Sequence, residues 1–334
     1  MNQKKIAKLL HVSPSTVSKA LSGNTEISRE TSEMIQQFAI DTGYFKEKSK
    51  RKRDYTDNCS LLIALIVPEI MGFHYSSLIT FMKNEIESRN GHVTIYISDF
   101  SNDKANDILK SIILHGAIDG IIMFDVPHIT AKSNIPIVTV SPRKGSDFDS
   151  VIFDSKAIIE DAVSYLINLG HRKIGFVGET HTLRNQELFK ETMKEKKLPV
   201  YERFIYTIPC RFEEIGERAA MKILSQKERP TALIAAYDEI AISLTSHLDR
   251  NGIKIPDDIS VMGINNIPSA KHAQVPLTTI DTFSSEQYKA ALDLLFDKIL
   301  NETDSVKHIT IQHKLIERET TKRLEETKDA KRHL

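Results

Sequence analysis

Ser13, Ser15 and Lys19 lie in KKIAKLLHVSPSTVSKAL, residues 4–21, a stretch that carries hydroxyls and cations but no acid. Small hydroxyls can approach base edges, and an ammonium can reach a guanine or a phosphate. The elements that hold them read as two short helices and a tight corner. Ile6, Ala7, Leu9 and Leu10 predict one apolar stripe on the first helix, which breaks at His11 and Val12. Ser13 is an N-cap residue whose hydroxyl can accept from an orphan backbone N–H, and Pro14 follows at the first helical position, where no N–H is needed. Along this second helix Val17, Ala20 and Leu21 turn inward while Ser15, Lys19 and Ser22 point outward. A third helix is predicted from the Ser28 cap and the recurrence of Thr31, Met34, Ile35, Phe38 and Ala39, with Gly43 ending it.

Helix geometry alone leaves two readings, a three-helix protein-docking module and a DNA-reading head. Charge favours the second. Residues 1–53 hold eleven Lys and Arg against five acids, so the head and connector carry +6 and the rest of this formally neutral chain carries −6. Residues 44–60, YFKEKSKRKRDYTDNCS, form a basic connector without apolar period. It is either a segment that orders on DNA or a solvated tether, and its place directly behind the head favours the first.

At 334 residues, 40% hydrophobic and 27% charged, the chain suits two or three soluble domains. Strand and helix patterns alternate from Leu61 onward. LLIALIV (61–67), HVTIYI (92–97), DGIIMF (119–124) and IPIVTV (135–140) read as buried parallel strands, with crossover helices at 76–90 and 103–115 that end near Gly91 and Gly116. The pattern repeats in strands 173–177, 203–208, 231–236 and 259–264 and helices 156–169, 184–197, 212–226 and 239–250, the first of these closed by Gly170. A weak echo of SRNGHVTIYI in NLGHRKIGFV suits two similar lobes.

Catalytic signatures are missing from this alternation. No glycine-rich nucleotide fingerprint follows a strand, and Ser141 and Ser155 lack a nucleophile elbow. His171, His181 and His272 are expected to be solvated turn residues, without acids at a metal-ligand spacing. Cys59 and Cys210 are read as reduced packing residues. No catalytic residue, metal or cofactor is expected. The lack of an export signal or an apolar membrane span points to the cytoplasm.

IAKLLHVSPSTVSKALSG (6–23) and ISRETSEMIQQFAIDTGY (27–44) resemble the N-terminal domain of the lac repressor family. Ile66–Pro68, NLGHRKIGFVG (168–178), PDDISVMGINN (256–266), PLTTI (276–280) and LIERETT (315–321) extend the likeness along the chain in the family's order. The resemblance implies a helix-turn-helix head (1–44), a basic hinge (45–60) and an α/β core like the type I periplasmic binding proteins. The N-terminal lobe would comprise 61–155 and 284–304, the C-terminal lobe 156–283 and 305–322, with a charged tail at 323–334.

It also implies a homodimeric DNA-binding regulator, usually a repressor, on double-stranded operator DNA. Pro14, Ser15 and Lys19 match the family's base-reading places, beside the Ser13 cap, and Thr16 and Ser18 match places that meet phosphates. Pro14 offers no hydrogen bond to a base, so Ser15 and Lys19 would carry the direct readout. Lys46, Lys50, Arg51 and Arg53 match the hinge, where relatives wedge a leucine into the minor groove. The expected consequence is less kinking and a steeper salt dependence.

The effector places match His74, Tyr75, Asp154, Arg184 or Asn185, Tyr237, Asp238 and Asn265. Asn265 replaces a frequent aspartate, which suits a polyol and makes a sugar phosphate or sugar acid less unfavourable. Effector binding would shift the lobes between two states of different operator affinity. Without a leucine heptad in the tail, a dimer is expected rather than a tetramer. The competing readings are a regulator worked by a protein partner and, more remotely, a sugar receptor or enzyme on the same fold.

Overall fold

Capping places the first three helices of the chain. The structure, a computed structural model, describes residues 2–24, 26–42, 44, 60–115, 118–125, 129, 133, 135–141, 147–282, 284–301 and 305–324. Gly43, Gly116, Cys59, the hinge residues Lys46, Lys50, Arg51 and Arg53, and the tail from 325 lie outside the described residues. Helix α1 (Gln3–Leu9) starts at Asn2, whose side chain accepts from Lys5 N at 2.9 Å, and His11 breaks the chain with φ +55°. Helix α2 (Pro14–Leu21) opens with Ser13 Oγ accepting from Thr16 N at 3.0 Å and Pro14 in the first turn. Helix α3 (Arg29–Asp41) opens on Ser28, which accepts from Thr31 N at 3.3 Å.

Ile6, Ala7, Val17, Ala20, Ile35, Ala39 and Tyr44 form the core of this head. Gln36 Nε2 donates to Ala20 O at 2.8 Å, which ties α3 to the last turn of α2. Two expected core residues are not there. Leu9 and Met34 are about half exposed, because helices this short bury only the narrow stripe that faces their two neighbours.

The chain divides into two compact units, Met1–Ile152 with Ser285–Ile309, and Phe153–Ser284 with Thr310–Leu334. In the first, β1 (Leu61–Val67), α4 (Gly72–Ser88), β2 (Gly91–Ile97), α5 (Asn102–His115), β3 (Gly120–Phe124), β4 (Ile137–Val140) and β5 (Asp149–Phe153) precede the late α10 (Ser284–Asn301) and β11 (His308–Ile311). Its sheet runs β11-β5-β4-β3-β1-β2, with β1 parallel to β2 and β3 in the registers Leu61↔Gly91 and Ile63↔Gly120. The turn into β2 differs from expectation. Asn90, not Gly91, takes the left-handed conformation (φ +58°). Gly91 is required for another reason, since a Cβ there would come within 2.7 Å of Ile86 Cγ2.

The second unit repeats the plan with α6 (Ser155–Asn168), β6 (Ile174–Gly178), α7 (Leu183–Glu195), β7 (Ile205–Thr207), α8 (Glu213–Ser225), β8 (Ala232–Ala235), α9 (Asp238–Arg250), β9 (Ser260–Ile264), β10 (Thr278–Asp281) and β12 (Lys314–Ile316). Its sheet order is β12-β10-β9-β8-β6-β7, antiparallel only where β10 meets β12 among the pairings described. Strand β6, flanked by β7 and β8, occupies the place that β1 occupies between β2 and β3. The sequence echo therefore joins strands that are not equivalent, β2 and β6. The two segments share a glycine at the helix-to-strand joint, but only Gly170 takes the left-handed conformation (φ +95°) there.

His171 corrects another expectation. It is buried rather than solvated, with Nδ1 3.0 Å from Thr231 Oγ1 and Nε2 3.2 Å from Lys322 O, so it ties the end of α6 to two distant segments. His272 is exposed.

Candidate nucleic-acid interface and effector residues

The head presents the surface its caps imply. Ser15, Ser18, Lys19 and Ser22 are exposed on α2 opposite buried Val17 and Ala20, with Lys4, Lys5 and Lys8 exposed on α1. Ser13 is occupied locally, its hydroxyl 2.7 Å from Ser15 Oγ and 2.8 Å from Thr16 Oγ1. Pro14 stands exposed in the first turn and Thr16 is half-buried. Lys19 Nζ donates to Glu26 Oε2 beyond the end of α2. Lys50, Arg51 and Arg53 lie outside the described residues.

Among the expected effector residues of the first unit, His74 and Tyr75 sit near the start of α4, just past the carboxyl end of β1. Tyr75 Oη donates to Asp125 Oδ2 at 2.7 Å, just beyond β3. This bond spans the point where β1 and β3, neighbours in the sheet, send their connections in opposite directions, the usual ligand crevice of a doubly wound sheet. His74 packs edge-on against Tyr75 and Tyr288, and its Nδ1 lies 3.4 Å from Tyr288 Oη. Burial lowers its pKa to about 4, so the imidazole is neutral near pH 7.

The second unit shows the mirrored arrangement. Tyr237, at the carboxyl end of β8, donates to Glu179 Oε1 at 3.0 Å, and Glu179 follows β6. Tyr237 Oη also accepts from Phe212 N at 3.2 Å, and burial together with the neighbouring carboxylate pushes its pKa up. Glu179 is 2% exposed and also pairs with Arg211 Nη1, whose guanidinium lies over the Phe212 ring at 4.6 Å. Asp125, Glu179 and Arg211 were not singled out from the sequence. The available signal for Asp125 and Glu179 was their position directly after parallel strands, at the reversal in strand order; Arg211, four positions past β7, carried none.

The other expected effector residues of the second unit differ in how far the protein itself engages them. Asp238 is wholly buried; Oδ2 accepts from Ile267 N at 2.8 Å and Oδ1 from Thr279 Oγ1 at 2.6 Å. Both oxygens are engaged by the protein, so this carboxylate holds the loop after β9 instead of offering itself to a ligand. Burial raises its pKa to about 7. Asp154 caps α6 through Ala157 N at 3.0 Å. Arg184 is exposed and pairs with Glu187 and Glu191, whereas its neighbour Asn185 is half-buried. Asn265 follows β9 with φ +105°, and its N–H donates to Ile280 O at 2.8 Å. No group of three metal-ligating side chains occurs among the described residues, and no described helix is long and apolar enough to cross a membrane.

Residues 163–321 match the family model of a periplasmic binding protein-like domain. The transcriptional repressor PurR of Vibrio parahaemolyticus is 28% identical over 96% of this chain and 98% of its own length. Catabolite control protein A of Priestia megaterium is 24% identical over 95% and 98%. Among solved structures, a LacI transcriptional regulator of Bacillus cereus superposes with a TM-score of 0.70 at 21% identity, covering 80% of this chain and all of that one. The transcriptional regulator CelR in complex with cellobiose gives 0.67 at 19% identity over 96% and 99%. Similarity to transcriptional repressors thus runs from the capped head through both α/β units, and the likeness to the solved LacI regulator shows the shared fold of the core.

Proposed function

We propose that this protein is a sequence-specific DNA-binding repressor whose operator affinity is set by a small carbohydrate-like effector bound by its α/β core. The observation that carries the DNA reading is the N-terminus of α2. Ser13 and Pro14 fix its start, so Ser15, Ser18 and Lys19 stand outward on a helix that fits a major groove. Ser15 and Lys19 read base edges, Thr16 and Ser18 meet phosphates, and Lys50, Arg51 and Arg53 add charge along the backbone or minor groove. One such helix reads too few bases for a genomic site, so the working form is a homodimer on a two-fold operator. The half-buried apolar face of edge strand β2, with Ile95 exposed, supports a dimer contact in the first unit.

The effector reading rests on the strand ends of each unit and on the cellobiose-bound relative. His74 and Tyr75 supply the first unit's contacts; Asn185, Tyr237 and Asn265 supply the second's. Asp238 acts through the loop it holds. Relatives that are transcriptional regulators support a non-catalytic role, exerted on DNA in the cytoplasm. Retardation of promoter fragments by the full chain tests the first half of this reading. Lys19→Ala should weaken specific binding by roughly tenfold or more, as the loss of one base contact does; equal binding would remove α2 as the reading helix. Thermal-shift screening with sugars, sugar phosphates and sugar acids tests the second half.

A further inference from the structure

Lys19 is the outward cation of the reading helix, and the structure places an acid on it. The polypeptide reverses just after α2. Gly23 takes φ +70°, Ser22 Oγ donates to Lys19 O at 3.0 Å, and Asn24 N donates to the same carbonyl at 3.0 Å. Asn24 Oδ1 then accepts from Glu26 N at 2.9 Å, an Asx turn that fixes the direction of the next residues. The result brings the Glu26 carboxylate onto the Lys19 ammonium, seven positions back. Both side chains remain accessible, 47% and 64% exposed. The corner is therefore built by backbone and Asx hydrogen bonds, and the ion pair sits on top of it, free to open without unfolding anything.

We propose that Glu26 is a specificity-determining residue: it occupies Lys19 so that indiscriminate phosphate contact must first break the Lys19–Glu26 pair. This rests on the DNA reading given above. An exposed ion pair is worth little in water, but its competitor here is a polyanion that gains by releasing counterions for each cation it receives. On an arbitrary duplex Lys19 would exchange one anion for another and gain little, with the displaced carboxylate left facing phosphates. On a matched site the ammonium gains hydrogen bonds to a guanine edge, which outweigh the lost pair.

The test is a two-by-two set in the full chain: native, Glu26→Gln, Lys19→Ala and the double variant. Each is titrated against a random-sequence 20-base-pair duplex by fluorescence anisotropy across a salt series, and thermal melting checks the fold. Glu26→Gln is expected to tighten binding by about two- to fivefold and to steepen the salt slope by about one phosphate equivalent. In the Lys19→Ala background the same change should have almost no effect. An unchanged affinity in Glu26→Gln overturns the inference. So does an equal gain with and without Lys19, which would make Glu26 a mere repulsive charge. Failure of the native chain to bind any duplex at low salt would instead overturn the DNA reading itself.

Discussion

The two α/β units close the same topological point with the same pair of groups, but the groups have changed strands. In the first, a tyrosine that follows β1 donates to a carboxylate that follows β3; in the second, the carboxylate follows β6 and the tyrosine follows β8. The second unit adds Arg211 on Glu179 and a wholly buried Asp238 on the loop after β9. The first holds a half-buried, neutral histidine at the matching end. The crevice is thus a property of strand order, and the residues that line it are free to differ. One unit places a low-pKa imidazole there, the other a carboxylate whose pKa is raised, so the two respond to pH in opposite directions.

Replacing Asp238 should separate the units most. Asp238→Ala leaves Thr279 Oγ1 and Ile267 N without their acceptor inside the second unit, at a cost of about 2–4 kcal/mol. Chemical denaturation followed by hydrogen exchange should show the loss in residues 153–284 and not in 61–125. A loss shared by both would break the comparison. The two tyrosines give a smaller contrast. Tyr237→Phe removes a donor to Glu179 and the acceptor of Phe212 N, so a loss of about 2 kcal/mol is expected, against about 1 kcal/mol for Tyr75→Phe. Equal losses would mean that the bond to Phe212 N contributes nothing.

The smallest expected effect is the dependence on pH, and its sign differs between the units. His74 titrates lower when folded than its ordinary 6.5, so the unfolded chain binds more protons between 6.5 and about 4, and the first unit loses stability as pH falls through that window. Asp238 titrates higher than its ordinary 3.8, so the folded chain binds more protons up to about 7. The second unit therefore loses stability as pH rises through that range. Hydrogen exchange resolved by unit at pH 4.5, 5.5 and 7.5 measures both slopes. Asp238→Asn should flatten only the second, and a second-unit slope that survives it would assign the effect to another group.

The head was the most legible region because its determinants are local. Ser13 and Ser28 each cap a helix through an amide three positions on, and Pro14 starts α2 without needing a donor. The central strands were legible for a related reason, since strands buried on both faces read as unbroken apolar runs. Short edge strands such as β11 and β12, half exposed and three or four residues long, carry no such run and were found only in the structure.

Residue order alone determined the capped helices, the alternating α/β pattern, the basic head and the family likeness, because each depends on neighbours within a few positions or on composition. Tertiary structure decided which polar groups are usable. Asp238 meets Thr279 41 positions away, Tyr237 meets Glu179 58 away, and His171 reaches Lys322 151 away. Whether a carboxylate faces a ligand or a buried amide depends on those distant partners, and no local period or spacing encodes them. Even at the seven-residue range of Lys19 and Glu26, the pairing had to wait for the geometry of the turn.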